Sequence, residues 1–169
     1  MTLSPQSLVA EFSGFDVSIQ GQALPGVLSP LSRALMRGAN VISLLDENPA
    51  EGDRVIASLF SETQAEINEI GGNFNYVVAG AEPNWTTPMQ YGGHFLELDR
   101  ELIGSRRPAI TLIGGAETYV DIVSDLAETF LIWNTATNDV NPEEVAKMTR
   151  ATTLTQVTNF PELNIGGCK

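Results

Sequence analysis

Between Asn48 and Gly72 the chain carries the pattern that most restricts how it can fold. Asn48-Pro49-Ala50-Glu51 places a capping side chain, a proline at the first helical position and a glutamate at the third. Together these satisfy amide groups that a helix start leaves without partners. Val55, Ile56, Leu59, Phe60, Ile67 and Ile70 then fall on one stripe, with Glu62, Glu66 and Glu69 elsewhere, and Gly71-Gly72 supplies a C-terminal stop. A long amphipathic helix must bury its stripe, so the rest of the chain has to furnish a core. At 169 residues with 43% hydrophobic content, the chain suits one globular domain spanning 1–169.

The same helix-start device recurs at Asn141-Pro142-Glu143-Glu144, and Ser29-Pro30 and Ser4-Pro5 are weaker versions that lack the carboxylate. Residues from Pro30 to Asp46 read as helix through Leu31, Leu35, Ile42 and Leu45, with Gly38 weakening the middle. A second stripe, Val120, Ile122, Val123, Leu126, Ala127, Phe130 and Trp133, predicts a helix from Thr118 to about Thr135. Short strands are expected at Phe15 to Ile19, Asn75 to Ala79, His94 to Leu98 and Pro108 to Ile113. Because these strands cluster between residues 74 and 114 and do not alternate regularly with helices, the expected class is α+β. It is expected as a small sheet of about three or four strands packed against amphipathic helices, in a single layer pair. From about residue 151 the sequence is rich in Thr and Asn and almost uncharged, which predicts a polar C-terminal arm.

Charge excludes one large class of partner. With 21 acidic and 9 basic residues the formal net charge is -12, a field that repels phosphate backbones, so direct nucleic-acid binding is not expected. No apolar run is long enough for a membrane span, and the N-terminus has neither the basic residues nor the apolar run of a secretory signal. The expected location is cytoplasmic or within an assembled particle. Cys168 is the single cysteine, so no intramolecular disulfide and no cysteine-based zinc site can form.

Searches for chemistry find fragments rather than a constellation. Ile110 to Glu117 has the strand, glycine pair and helix start of a phosphate-binding turn. It lacks the G-x-G-x-x-G pattern and a following lysine, and Glu117 and Asp121 put negative charge where an anion would sit. No G-x-S-x-G elbow is present, and no spacing of metal ligands or signature of a cofactor site is found. His94, the single histidine, lies near Glu97 in sequence, with Glu82 a loop away, and the three form an alternative ligand or acid/base site. On a strand, His94 and Glu97 would point to opposite faces; on a helix they would share one.

The segment from Glu82 to Gly93 joins loop punctuation to Trp85, Met89 and Tyr91, and Arg106-Arg107 forms a small positive spot on an acidic chain. Aromatic and arginine side chains dominate interface energetics, so these five residues are the expected interface anchors. Two functional readings follow. The first is a non-enzymatic structural or assembly subunit, for example a virion or tail component, whose partners are copies of itself or other proteins of the assembly. The second is a small-molecule-binding or hydrolytic domain whose pocket uses His94 with a nearby carboxylate and is walled by Trp85 and Tyr91.

Overall fold

The computed structural model describes residues 9–161 apart from Ala39, Ala136, Asp139 and Thr155; the Ser4-Pro5 helix start and Cys168 lie outside the described residues. The chain begins with a meander of β1 (Ala10–Ser13), β2 (Asp16–Ile19) and β3 (Gln22–Leu24), turned at Gly14 and Gly21, both at positive φ. From β4 (Gly26–Leu28) onward, strands and helices alternate. The order is α1 (Pro30–Met36), α2 (Val41–Glu47), α3 (Pro49–Ile70), β5 (Asn75–Ala79), α4 (Pro88–Tyr91), α5 (Glu97–Ile103) and β6 (Ala109–Ile113). Then come α6 (Val120–Val123), β7 (Phe130–Trp133), α7 (Pro142–Met148), β8 (Thr152–Leu154) and β9 (Val157–Thr158).

Two sheets result. Strands β4 to β8 make a five-stranded sheet in chain order with every neighbouring pair parallel. The meander forms the other, in the order β3-β2-β1-β9, with β9 parallel to β1. Strands β5 and β6 are buried at all five positions each, as the centre of a parallel sheet requires.

Alternate residues of the parallel sheet serve different cores. Val27, Tyr76, Val78, Ile110, Leu112, Leu131 and Trp133 join one cluster with the apolar stripes of the helices, including Leu31, Ile56, Leu59, Ile67, Phe95 and Val145. Ala109, Ile132 and Leu154 point the other way, onto Ala10, Phe12, Val17, Ile19 and Leu24 of the meander. Val77, Ala79 and Ile113 pack on the same side against Phe15, Leu28 and Phe160. The layers are therefore helices, parallel sheet, antiparallel meander.

Polar side chains hold the layers in register. Asn75, wholly buried, accepts from the Thr111 hydroxyl (2.6 Å) and donates to the Phe15 carbonyl (3.0 Å), which ties the two central strands to the meander. Asp16 Oδ1 accepts from the Gly26 amide at 2.7 Å. Where β4 ends, Ser32 takes over its pairing with β5: its hydroxyl donates to the Val77 carbonyl (3.1 Å) and accepts from the Ala79 amide (2.9 Å). Arg33 donates to the Leu28 carbonyl and Thr63 through Nε and to Glu66 through Nη2, clamping α1 to α3.

The mixture of helix and strand agrees with expectation, and the details correct it. Instead of one sheet of three or four strands in a single layer pair, two sheets of five and four strands stand in three layers. The stripe from Val120 yields only α6 and a 3-10 turn at Ser124–Leu126 before Phe130-Leu131-Ile132-Trp133 becomes a strand. A continuous apolar run satisfies the helical template and a doubly buried strand equally, and the sheet claims it here. His94 to Leu98 is helical, not extended. The Pro30 to Asp46 helix divides at Gly38, which takes φ 72°. As far as residue 161, the expected C-terminal arm supplies β8 and β9, one strand to each sheet.

Gly26 marks a close junction between the layers, since a Cβ there would lie 2.4 Å from the Phe15 carbonyl oxygen. Gly26→Ala is expected to destabilise the protein by about 1–3 kcal/mol, because backbone is the obstacle. Gly72→Ala, which meets nothing within 4 Å, should change stability by less than about 0.5 kcal/mol. Urea unfolding of the two variants checks this, and equal effects would contradict the docking.

Candidate functional site

Three consecutive strands of the parallel sheet end at one edge. Ala79 stands opposite Ile113, and Leu112 opposite Trp133, so the chain leaves β5 at Gly80, β6 at Gly114 and β7 at Asn134 side by side. These three exits floor a cleft of about 410 Å³, walled by Glu82, Trp85, Gly115, Thr137, Phe160 and Pro161. Clefts at the carboxyl ends of parallel strands are common binding sites, because loops diverge there and leave an opening.

Glycine at two exits is a steric requirement. Gly80 takes φ +88°, and a Cβ on it would enter the side chains of Leu31 and Leu35. A Cβ on Gly114 would stand 2.3 Å from Thr118 Oγ1 and 2.5 Å from Glu82 Oε2. The Glu82 carboxylate therefore lies directly over the Gly114-Gly115 turn. Its residue is only 9% exposed, and Asn84 Nδ2 donates to its Oε1 at 2.9 Å.

The loop that carries Glu82 and Trp85 is braced at several points. Thr86 donates its hydroxyl to the Gly80 carbonyl (2.8 Å), and the amides of Trp85 and Thr86 both donate to the Glu82 carbonyl (3.0 Å). Tyr119, beyond the glycine turn, donates its hydroxyl to the Thr86 carbonyl (2.6 Å) and its amide to the Ala81 carbonyl (2.8 Å). Burial raises the Tyr119 pKa above its ordinary value. On the glycine side, Thr118 and Asn138 donate to the Gly115 carbonyl. The cleft is thus preformed by its own loops.

Of the residues expected to form an interface or ligand site, the structure brings Glu82 and Trp85 together at the cleft. Glu97 is exposed and paired with Arg100 at 2.9 Å, and His94 is exposed with its ring edge-on to Phe95. Neither lines the cleft, so the three-residue site of His94, Glu97 and Glu82 is not assembled. Tyr91, expected at an interface, is fully buried in the helix-side core. Met89 is 86% exposed on α4, whose start is fixed by a capping box between Thr87 and Gln90. Arg106 donates to Asn68 Oδ1 at 3.1 Å, and Arg107 lies 3.4 Å from Glu128.

Sequence reasoning missed the buried cluster below Tyr91. Asp99 accepts hydrogen bonds from the Tyr76 hydroxyl (2.5 Å) and the Tyr91 hydroxyl (2.9 Å). Positions eight apart on a regular α-helix are about 80° out of line, and the wider π turn at Gly92–Leu96 removes part of that offset between Tyr91 and Asp99. Burial pushes the Asp99 carboxyl up to about 7 from an ordinary 3.8, against the two tyrosine hydrogen bonds, which favour the charged form. Both tyrosines are raised well above 10, first by burial and then by the neighbouring Asp99 charge.

No protein-family model, no curated protein and no solved structure matches this chain. Among the described residues no three His, Cys, Asp or Glu side chains stand together as a metal site, and no helix is long and apolar enough to cross a membrane.

The raised Asp99 fixes the sign of a pH effect. Folded protein holds this proton more tightly than unfolded chain, so the group's contribution to stability is lost as pH rises from about 4 to about 7. Asp99→Asn keeps a shape able to bond both tyrosines while removing the titration. Between pH 4 and pH 8, wild type is expected to lose roughly 2–4 kcal/mol relative to Asp99→Asn in urea unfolding. Parallel pH profiles would contradict this assignment.

Proposed function

We propose that the protein is a small-ligand-binding domain whose site is the cleft at the carboxyl edge of β5, β6 and β7. The observation that carries this reading is Glu82, a carboxylate held nine-tenths buried over a glycine turn and opening onto a volume of about 410 Å³. Buried charges are costly and are usually retained where they meet a partner. Trp85 and Phe160 offer apolar walls, and Glu82, Asn134 and Thr137 line the same cleft with polar residues, a combination typical of sites that orient a small molecule. The bracing by Thr86 and Tyr119 means that little ordering is needed on binding.

The test is a screen of small polar fragments, neutral and charged, followed by amide NMR shifts in the full chain. Binders are expected to move Gly80, Gly114, Gly115 and Asn134 together, and Gly115→Val, which inserts a side chain over the turn, should weaken them by about tenfold or more. A screen with no binder at these amides would overturn the reading.

A second reading has its own supporting observation. Met89 is 86% exposed on a short helix held by a capping box, a rigidly presented apolar side chain of the kind that anchors interfaces. We propose on this ground that the protein is also suited to a non-enzymatic role as an assembly subunit, with copies of itself or other proteins of a complex as partners. Light scattering coupled to size exclusion should then give a discrete multiple of 18.2 kDa that Met89→Asp reduces. A stable monomer at micromolar concentration, with no partner recovered from native extract, would remove this second reading.

A further inference from the structure

Glu82 serves two adjoining depressions. Besides the main cleft, it lines a groove of about 260 Å³ with Pro83, Asn84, Gly115, Ala116 and Glu117, so two carboxylates flank the Gly114-Gly115 turn. Among the described residues, none that lines either depression is Lys, Arg or His. Among the described residues Glu82 has no ion-pair partner, although the chain's other ion pairs engage six of its arginines: Arg33, Arg37, Arg54, Arg100, Arg107 and Arg150. Among the described residues, the one side-chain donor to Glu82 is the neutral amide of Asn84, on Oε1. Oε2 packs against the glycine turn, in the space that a Cβ on Gly114 would need.

We infer that the ligand of this cleft is a small organic cation, an amine or a guanidinium, whose charge pairs with Glu82 while its carbon chain lies against Trp85 and Phe160. This rests on the cleft being a binding site and adds the class of ligand. A carboxylate removed from water and without a cation of its own gains most from a positively charged guest, through a charge-assisted hydrogen bond. The aromatic walls give its carbon chain an apolar surface to cover. Glu117 on the far side of the turn and the net charge of -12 raise the local concentration of cations and repel phosphates and carboxylates. An organic cation fits better than a metal ion, because no third His, Cys, Asp or Glu joins this pair among the described residues.

The experiment compares n-butylguanidinium with n-butylurea, its neutral planar isostere, against the full chain by amide NMR titration at low and at moderate salt. The cation should bind about tenfold or more tightly than the urea, shifting Gly114 and Gly115, and Glu82→Gln should remove that preference without unfolding the protein. Affinity for the cation should weaken as salt rises. Equal binding of the two probes, or preference for the cation that survives in Glu82→Gln, overturns the inference and leaves the cleft standing as a site for neutral ligands. Absence of binding by the cation overturns it too. Only if the wider fragment screen also leaves these amides unmoved does the cleft fail as a binding site.

Discussion

Both faces of a parallel sheet must be kept from water, and in this chain they are covered by different kinds of structure. Strands β4 to β8 follow one another in chain order, and the helices between them pack into a single cluster on one face. That leaves the other face bare unless the chain supplies a second cover from elsewhere. The N-terminal meander does so, and Phe12, Val17, Ile19 and Leu24 meet Ala109, Ile132 and Leu154 across the gap. Asn75 is the polar pin in this apolar seam, bonded to both the neighbouring strand and the meander turn. Hydrophobic burial supplies the driving force, and the buried amide fixes one register among several that burial alone would allow.

The cleft is a consequence of the same arrangement. Backbone leaving β5, β6 and β7 must diverge at the carboxyl edge, and Phe160, returning after β9, closes the meander side of the opening. The loop from Gly80 to Thr86 is then held against Tyr119, which fixes the Glu82 carboxylate over the glycine turn. A side chain at Gly114 would displace either Thr118 or Glu82, so the glycine and the carboxylate are one structural unit.

Much of the local structure was legible. The caps at Ser29, Asn48 and Asn141 begin helices, Gly71 ends α3 in the left-handed conformation, and β5 and β6 fall where the β-rich runs lie. These signals are local, and local physics decides them. The architecture was not legible because β7 hides in a run that also satisfies helical periodicity, and because β8 and β9 are too short and polar to stand out. Without those three strands the alternation of helix and strand disappears, and with it the reason to look just past each strand's end. Gly80, Gly114 and Asn134 occupy those places. Trp85 was singled out from loop composition and Glu82 as a partner for His94, a pairing that failed because the imidazole, on the π turn, stays at the surface. Asp99 looked like one acidic residue among many, and nothing in its neighbours announced that two tyrosines would enclose it.

We propose that the carboxyl-edge cleft, not the exposed helix surface, receives the ligand. Intermolecular NOEs between bound n-butylguanidinium and the full chain test it most directly, since they locate the guest atom by atom. With the guest in the cleft, NOEs are expected from the butyl methylenes to the ring protons of Trp85 and Phe160. NOEs confined to the Met89 surface, or to any place outside the cleft, would contradict it.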